Sequence, residues 1–118
     1  MSYSDPIRPL NNQGPAEQID NLPDIDYHNI KKAAMVLRAL NHKLRQQILK
    51  TVHENKRIDV TDIYVKLRLE QSVASQHLAI LRKAGILSTE RFGKFIFYSI
   101  NSSRIEEING LVNNLVEN

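Results

Sequence analysis

The chain has 118 residues, of which 42% are hydrophobic and 25% charged, enough for one domain with its own core. It has no cysteine, which excludes a disulfide framework, thiolate metal ligands, cysteine nucleophiles and thiol redox sensing. The net charge of +3 hides a basic centre: residues 31–94 hold fourteen Lys/Arg against five acids, whereas residues 1–30 and 95–118 are net −4 and −2. Such a block suits a polyanionic partner, a lysine-rich solvated surface being the other reading.

The chain opens on Met1-Ser-Tyr-Ser-Asp-Pro6, without the basic stretch and apolar run of a secretory signal. No apolar run approaches the ~18 residues that span a membrane. The expected location is therefore the cytoplasm, with no membrane partner. All four prolines (Pro6, Pro9, Pro15 and Pro23) lie near this end, beside Gly14 and Asn11-Asn12. Proline fixes φ and removes a donor, so residues 1–22 are expected to form a flexible arm, either a free tail or a segment draped over a partner subunit. Residues 23–118 are expected to form the domain.

Beyond Pro23 the apolar residues fall into a helical period. Ile30, Ala33, Ala34, Leu37 and Leu40 predict a helix over about 24–40, with Asp24 and Asp26 at its start, where the helix dipole favours acids. Asn41 is the expected cap of a second helix carrying Leu44, Ile48, Leu49 and Val52 and ending near residue 54. Asp59 opens a short third helix through Val60, Ile63, Tyr64 and Leu67. After a break at Arg68-Leu69-Glu70, Gln71-Ser72 opens a fourth helix that stops at Gly85. Two runs rich in β-branched and aromatic residues, 86–92 and 94–100, flank Gly93 and predict a β-hairpin. Asn101-Ser102-Ser103 then caps a last helix with Ile105, Ile108, Leu111, Val112 and Leu115 on one stripe. The order α-α-α-α-β-β-α, mainly helical with a small hairpin (α+β), is the outline of a winged helix-turn-helix.

On a helical wheel the fourth helix divides into two arcs. Ser72, Ser75, Gln76, Ala79, Arg82 and Lys83 share one; Val73, Ala74, His77, Leu78, Ile80, Leu81 and Ala84 share the other. The polar arc contains no acid. Serine and glutamine can donate to and accept from base edges, and Ala79 permits close approach to a groove floor. Ser72, Ser75 and Gln76 are the expected base readers, with Arg82 and Lys83 on phosphates. His77, central in the apolar arc, is expected to pack with its ring nitrogens bonded to backbone or to a nearby polar group. No second ligand stands at i±3 or i±4, so no metal is expected there. Arg91 and Lys94 bracket the hairpin tip, which suits phosphate or minor-groove contact, a solvated turn being the alternative. Phe95, Phe97 and Tyr98 are expected to pack on the core rather than stack on bases.

The runs Leu40-Asn41-His42…Arg45-Gln46-Gln47-Ile48-Leu49, Ser72-Val-Ala-Ser75-Gln76-His77-Leu78…Leu81-Arg82-Lys83-Ala84-Gly85-Ile86-Leu87 and Arg91-Phe-Gly93-Lys94…Tyr98-Ser-Ile100 resemble the ArsR/SmtB family of bacterial winged-helix repressors. The resemblance spans about residues 31–101. It implies that the fourth helix is the recognition helix and that the terminal helices form a homodimer. The apolar stripes of those two helices independently suit a two-fold interface through Ile30, Leu37, Ile105, Ile108, Leu111 and Leu115. The family's Cys-x-Cys metal site is matched here by Asp59-Val60-Thr61, and the last helix has neither His nor Asp for the second site type. No metal and no cofactor are therefore expected. The effector stays open between a small molecule, a partner protein and none, and so does a cross-subunit site built on His28 or His42.

The expected function is a homodimeric repressor that reads an inverted repeat in double-stranded DNA. The alternative is a winged-helix module that binds protein. No nucleophile turn, phosphate loop or His-Glu-x-x-His is present, so no enzyme is expected.

Overall fold

The computed structural model describes residues 22–117; the expected arm, 1–22, lies almost wholly outside them. The chain divides between Ile30 and Lys31 into two units. The described part of the first ends in the opening turn of helix α1, Tyr27–Leu40. Asp26 caps that helix through its carboxylate, which accepts from the backbone N–H of Asn29 at 3.0 Å.

Residues 31–118 hold the rest: α2 (Lys43–Asn55), β1 (Ile58–Asp59), α3 (Val60–Lys66), α4 (Gln71–Lys83), β2 (Leu87–Phe92), β3 (Phe95–Ile100) and α5 (Ser102–Val116). The helical periods and the hairpin of the sequence are all present. Two local details differ from expectation. The cap of α2 is His42, not Asn41: its Nδ1 accepts from the Arg45 N–H, while the Asn41 N–H continues the α1 ladder to Leu37. The wing also gains a third strand. Residues Ile58 and Asp59 pair with Tyr98 and Phe97, giving the antiparallel order β1-β3-β2. Two residues are too short for a periodicity signal, and their pairing is set by a strand some forty residues away.

The core forms where α2, α3, α4 and the sheet meet. Ile48, Val52, Ile63, Leu78, Leu81 and Ile86 are fully buried, each contributing roughly 1.5–3 kcal/mol by leaving water. Ala39 is the buried residue of α1, and Ile108 that of α5.

The end of α4 is fixed by a reciprocal pair of bonds. Gly85 N–H donates to Arg82 C=O at 2.9 Å and Ile86 N–H to Leu81 C=O at 3.0 Å. This Schellman arrangement needs a left-handed residue, and Gly85 has φ +78°. Leu81 and Ile86 then meet in the core. The exit is stitched to the start of α5: Asn101 Nδ2 donates to Gly85 C=O at 3.0 Å and Arg104 Nε to Ala84 C=O at 3.3 Å. The exit of α4, the entry to the hairpin and the start of α5 are thus one joint.

Gly85→Ala is expected to cost about 1–2 kcal/mol, the penalty of a β-carbon in the left-handed region. Leu78→Ala, a cavity at a fully buried site, should cost about 2–5 kcal/mol. Urea unfolding monitored by circular dichroism measures both.

Candidate nucleic-acid interface

Helix α4 buries one narrow face. Ala74, Leu78 and Leu81 are inaccessible, while Gln71, Ser72, Ser75, Gln76, Arg82 and Lys83 are exposed. The base readers expected from sequence therefore stand together on an exposed face without an acid. Ile80, placed on the apolar arc by the wheel, is instead 41% exposed. It lies at the edge of that arc, and no element of the described chain covers it. Ala79 is half-buried.

The expected phosphate contacts do not form one group. Arg82 and Arg91 line a shallow cleft between α4 and the wing, with Thr89, Glu90, Ile96 and Tyr98. Lys83 turns the other way, into a cleft with Lys32, Met35, Val36, Ala84 and Arg104. Lys94 sits at the hairpin turn with its ammonium 5.6 Å from the Phe95 ring. Arg91 bends over the same turn and donates to Gly93 C=O at 3.3 Å.

The wing's two faces follow from its register. Arg91 pairs with Ile96 and Thr89 with Tyr98 on the side facing α4; Phe92 pairs with Phe95 and Glu90 with Phe97 on the other. The expectation that Phe95 and Phe97 pack on the core is therefore corrected. Tyr98 packs against the core, but Phe92 and Phe95 are 49% and 47% exposed, and Phe97 shares their face. Arg57 covers them. Its guanidinium stands 4.5 Å from the centroids of both Phe92 and Phe97, a cation–π arrangement. Among the described residues the one ion pair is Arg104–Glu107, so Arg57 carries an unneutralised charge close to the wing tip. Sequence reasoning missed it because Arg57 reaches the wing only through β1.

Arg45 was also missed. It is the buried charged residue of the core, 7% exposed. Its Nε donates to Ala39 C=O at 2.8 Å, its Nη2 to Arg38 C=O at 3.2 Å, and its Nη1 faces His77 Nδ1 at 3.2 Å. His77 is half-buried on the flank of α4, its ring centroid 5.0 Å from that of His42. Its polar partner is thus a side chain of α2. Burial, then His42 and Arg45, hold its imidazole below the ordinary value of 6.5. A signal for Arg45 was present: it stands three residues before Ile48 and seven before Val52, on the buried stripe.

Of the residues expected at a subunit interface, Leu37, Leu111 and Leu115 are exposed at 39%, 66% and 71%. They line an open, mostly apolar groove between α1 and α5 with Ala33, Val36, Ile108 and Val112. Ile105 is half-buried, and Ile108, 6% exposed, also joins the protomer's own core. Ile30, 54% exposed, lies in the first unit. Among the described residues no three His, Cys, Asp or Glu side chains cluster as metal ligands. No described helix is long and apolar enough to cross a membrane.

Comparison with known proteins gives a consistent picture. Residues 42–89 match the model of the bacterial regulatory proteins of the arsR family. The transcriptional repressor PagR of Bacillus anthracis is 36% identical over 89 residues, spanning 75% of this chain and 89% of PagR. The transcriptional activator HlyU of Vibrio cholerae is 33% identical over 95 residues, 80% of this chain and 86% of HlyU. The solved structures of the same two proteins superpose with TM-scores of 0.58, covering 75% of this chain and 95% of the HlyU chain or all of the PagR chain.

Arg57→Ala is expected to lower stability by about 0.5–1 kcal/mol, the value of an exposed cation–π contact. It should also leave the rings of Phe92 and Phe97 more mobile. Urea unfolding and aromatic NMR line shapes check the two effects.

Proposed function

This chain belongs to the arsR family of DNA-binding transcriptional regulators, and on that premise we propose that it represses transcription as a homodimer seated on an inverted repeat. The observation that carries the reading is the exposed face of α4. Ser72, Ser75 and Gln76 stand on it without an acid, and the buried face opposite fixes the helix against the core. Serine and glutamine read base edges by hydrogen bonds. Arg82, Lys83, Arg91 and Lys94 then neutralise phosphates to either side, and Arg57 adds a further cation at the wing. Two copies of α4 would enter successive major grooves about 34 Å apart.

The dimer reading rests on the groove between α1 and α5. An apolar trough bordered by exposed Leu111 and Leu115 is costly to leave in water, and a second copy of the same trough is self-complementary about a two-fold axis. The sign of regulation is the finer part of the proposal: PagR is named a repressor and HlyU an activator.

Duplexes enriched from randomised DNA, titrated by fluorescence anisotropy at several salt concentrations, test this reading. Affinity should fall steeply with salt, and Arg91→Ala should reduce the log–log slope by about one while weakening all sequences alike. Gln76→Ala should instead relax the preference for the enriched sequence, by about 1–3 kcal/mol of discrimination. Failure to enrich any sequence would overturn base reading. For the dimer, Leu111→Glu with Leu115→Glu is expected to give a folded monomer by sedimentation velocity; an unchanged sedimentation coefficient for that double variant would exclude the α1–α5 interface.

A further inference from the structure

The Arg45 guanidinium is withdrawn from water without a carboxylate beside it. Its partners are the carbonyls of Arg38 and Ala39, in the last turn of α1, and the imidazole of His77. The α1 carbonyls are a reasonable home for a cation, because the end of a helix carries partial negative charge. The His77 contact is more demanding. A guanidinium only donates, so Nδ1 must present its lone pair and the ring must be the neutral Nε2–H tautomer. One turn of α4 separates His77 from Val73, and Gln76 is its neighbour in sequence. The side chain that receives the Arg45 bond is therefore adjacent to an expected base reader, on the helix that carries all three.

We propose that Arg45 and His77 are positioning residues for DNA reading: Arg45, anchored on the end of α1, holds α4 through His77 at the rotation that presents Ser72, Ser75 and Gln76 to the bases. This rests on the DNA-reading function proposed above. Among the described residues no other side-chain hydrogen bond reaches the body of α4: Ala74, Leu78 and Leu81 are buried apolar residues, and the joint with α5 lies past its C-terminal end. Apolar packing sets the depth of a helix well but its rotation less sharply, since it is not directional. A bond of defined geometry on the flank supplies that direction.

Protonation gives the pair a readout that ordinary scaffolding lacks. A protonated His77 cannot accept from Arg45, and the two cations then stand 3.2 Å apart. The charged and titratable groups acting on His77 are Arg45 and His42, both at the start of α2. Neither offsets the new charge. Because the folded state holds His77 below its ordinary value, the fold binds this proton less readily than the unfolded chain. The contact is therefore complete above about pH 6.5 and is lost as the pH falls through the lower value that the fold imposes. The direction for DNA binding is diagnostic. Protons added to a DNA-binding surface ordinarily strengthen attachment, because each is another cation facing phosphate. Loss of positioning has the opposite sign and falls on sequence preference.

The test uses a duplex enriched from randomised DNA at pH 7.5 and a scrambled duplex of equal length. The ratio of the two affinities is measured for the full chain between pH 7.5 and 5.5. The expected result is a fall in that ratio of about tenfold or more on acidification. In His77→Asn, whose side-chain oxygen replaces Nδ1 as a non-titrating acceptor, the ratio should stay flat across the range and near the wild-type value at pH 7.5. NMR should show His77 as the Nε2–H tautomer at pH 7.5. Arg45→Lys, which keeps the charge but not the three-way fork, should lower the ratio at pH 7.5 without reducing the salt slope. A wild-type ratio that does not change with pH, or rises, overturns the proposal, as does an equal fall in His77→Asn, which would assign the response to His42. A protein that prefers no duplex at pH 7.5 fails the DNA-reading function itself, a separate and earlier outcome.

Discussion

A guanidinium cannot leave water unless its N–H groups are answered, and the arrangement of the helices around Arg45 follows from that constraint. Its donors meet carbonyls at the end of α1 and the imidazole of α4. The first two contacts fix where α1 stops and how α2 turns away from it, together with Gln46 Nε2, which donates to Leu40 C=O at 2.8 Å. The third ties α4 to that corner. Deleting one partner leaves buried polar groups unpaired, at a cost of roughly 1–3 kcal/mol for each. Outside that corner most of α1 is exposed among the described residues.

That uncovered length is the second consequence of size. Most of the core is built from α2, α3, α4 and the sheet, and a chain this short has little left to cover its terminal helices. α1 contributes Ala39, with Val36 and Leu40 packed beside it; α5 contributes Ile108, with Ile105 and Val112. Leu37, Leu111 and Leu115 line the groove. The same economy appears in α4, whose buried stripe is three residues wide. A narrow stripe leaves most of the helix surface free for contact, and it places a premium on the directional bonds at its flank and its C-terminal end.

The comparisons bear on mechanism in a specific way. A protein named as a repressor and one named as an activator share this architecture at similar identity. The fold thus accounts for how DNA is met, not for the consequence of meeting it.

Much of the fold was legible from sequence because its determinants are local. A cap such as Asp59 or Asn101 bonds three residues ahead, Gly85 answers a requirement of its own φ angle, and helical periods repeat within a turn or two. The acid-free face of α4 was legible for the same reason, since 100° per residue places it without knowledge of any neighbour. Other features depended on pairing across long stretches of chain. Arg57 joins the wing through a two-residue strand, Phe95 and Phe97 turn away from the core by the register of β3, and Ile108 joins the core cluster that also holds Ala39. Arg45 reaches His77 thirty-two positions away. The sequence by itself determined which segments are helices and which helix face is polar, because those follow from short-range geometry. Which charges are buried and which aromatic face turns from the core follow from tertiary packing, because a residue's exposure is fixed by whatever distant segment packs against it.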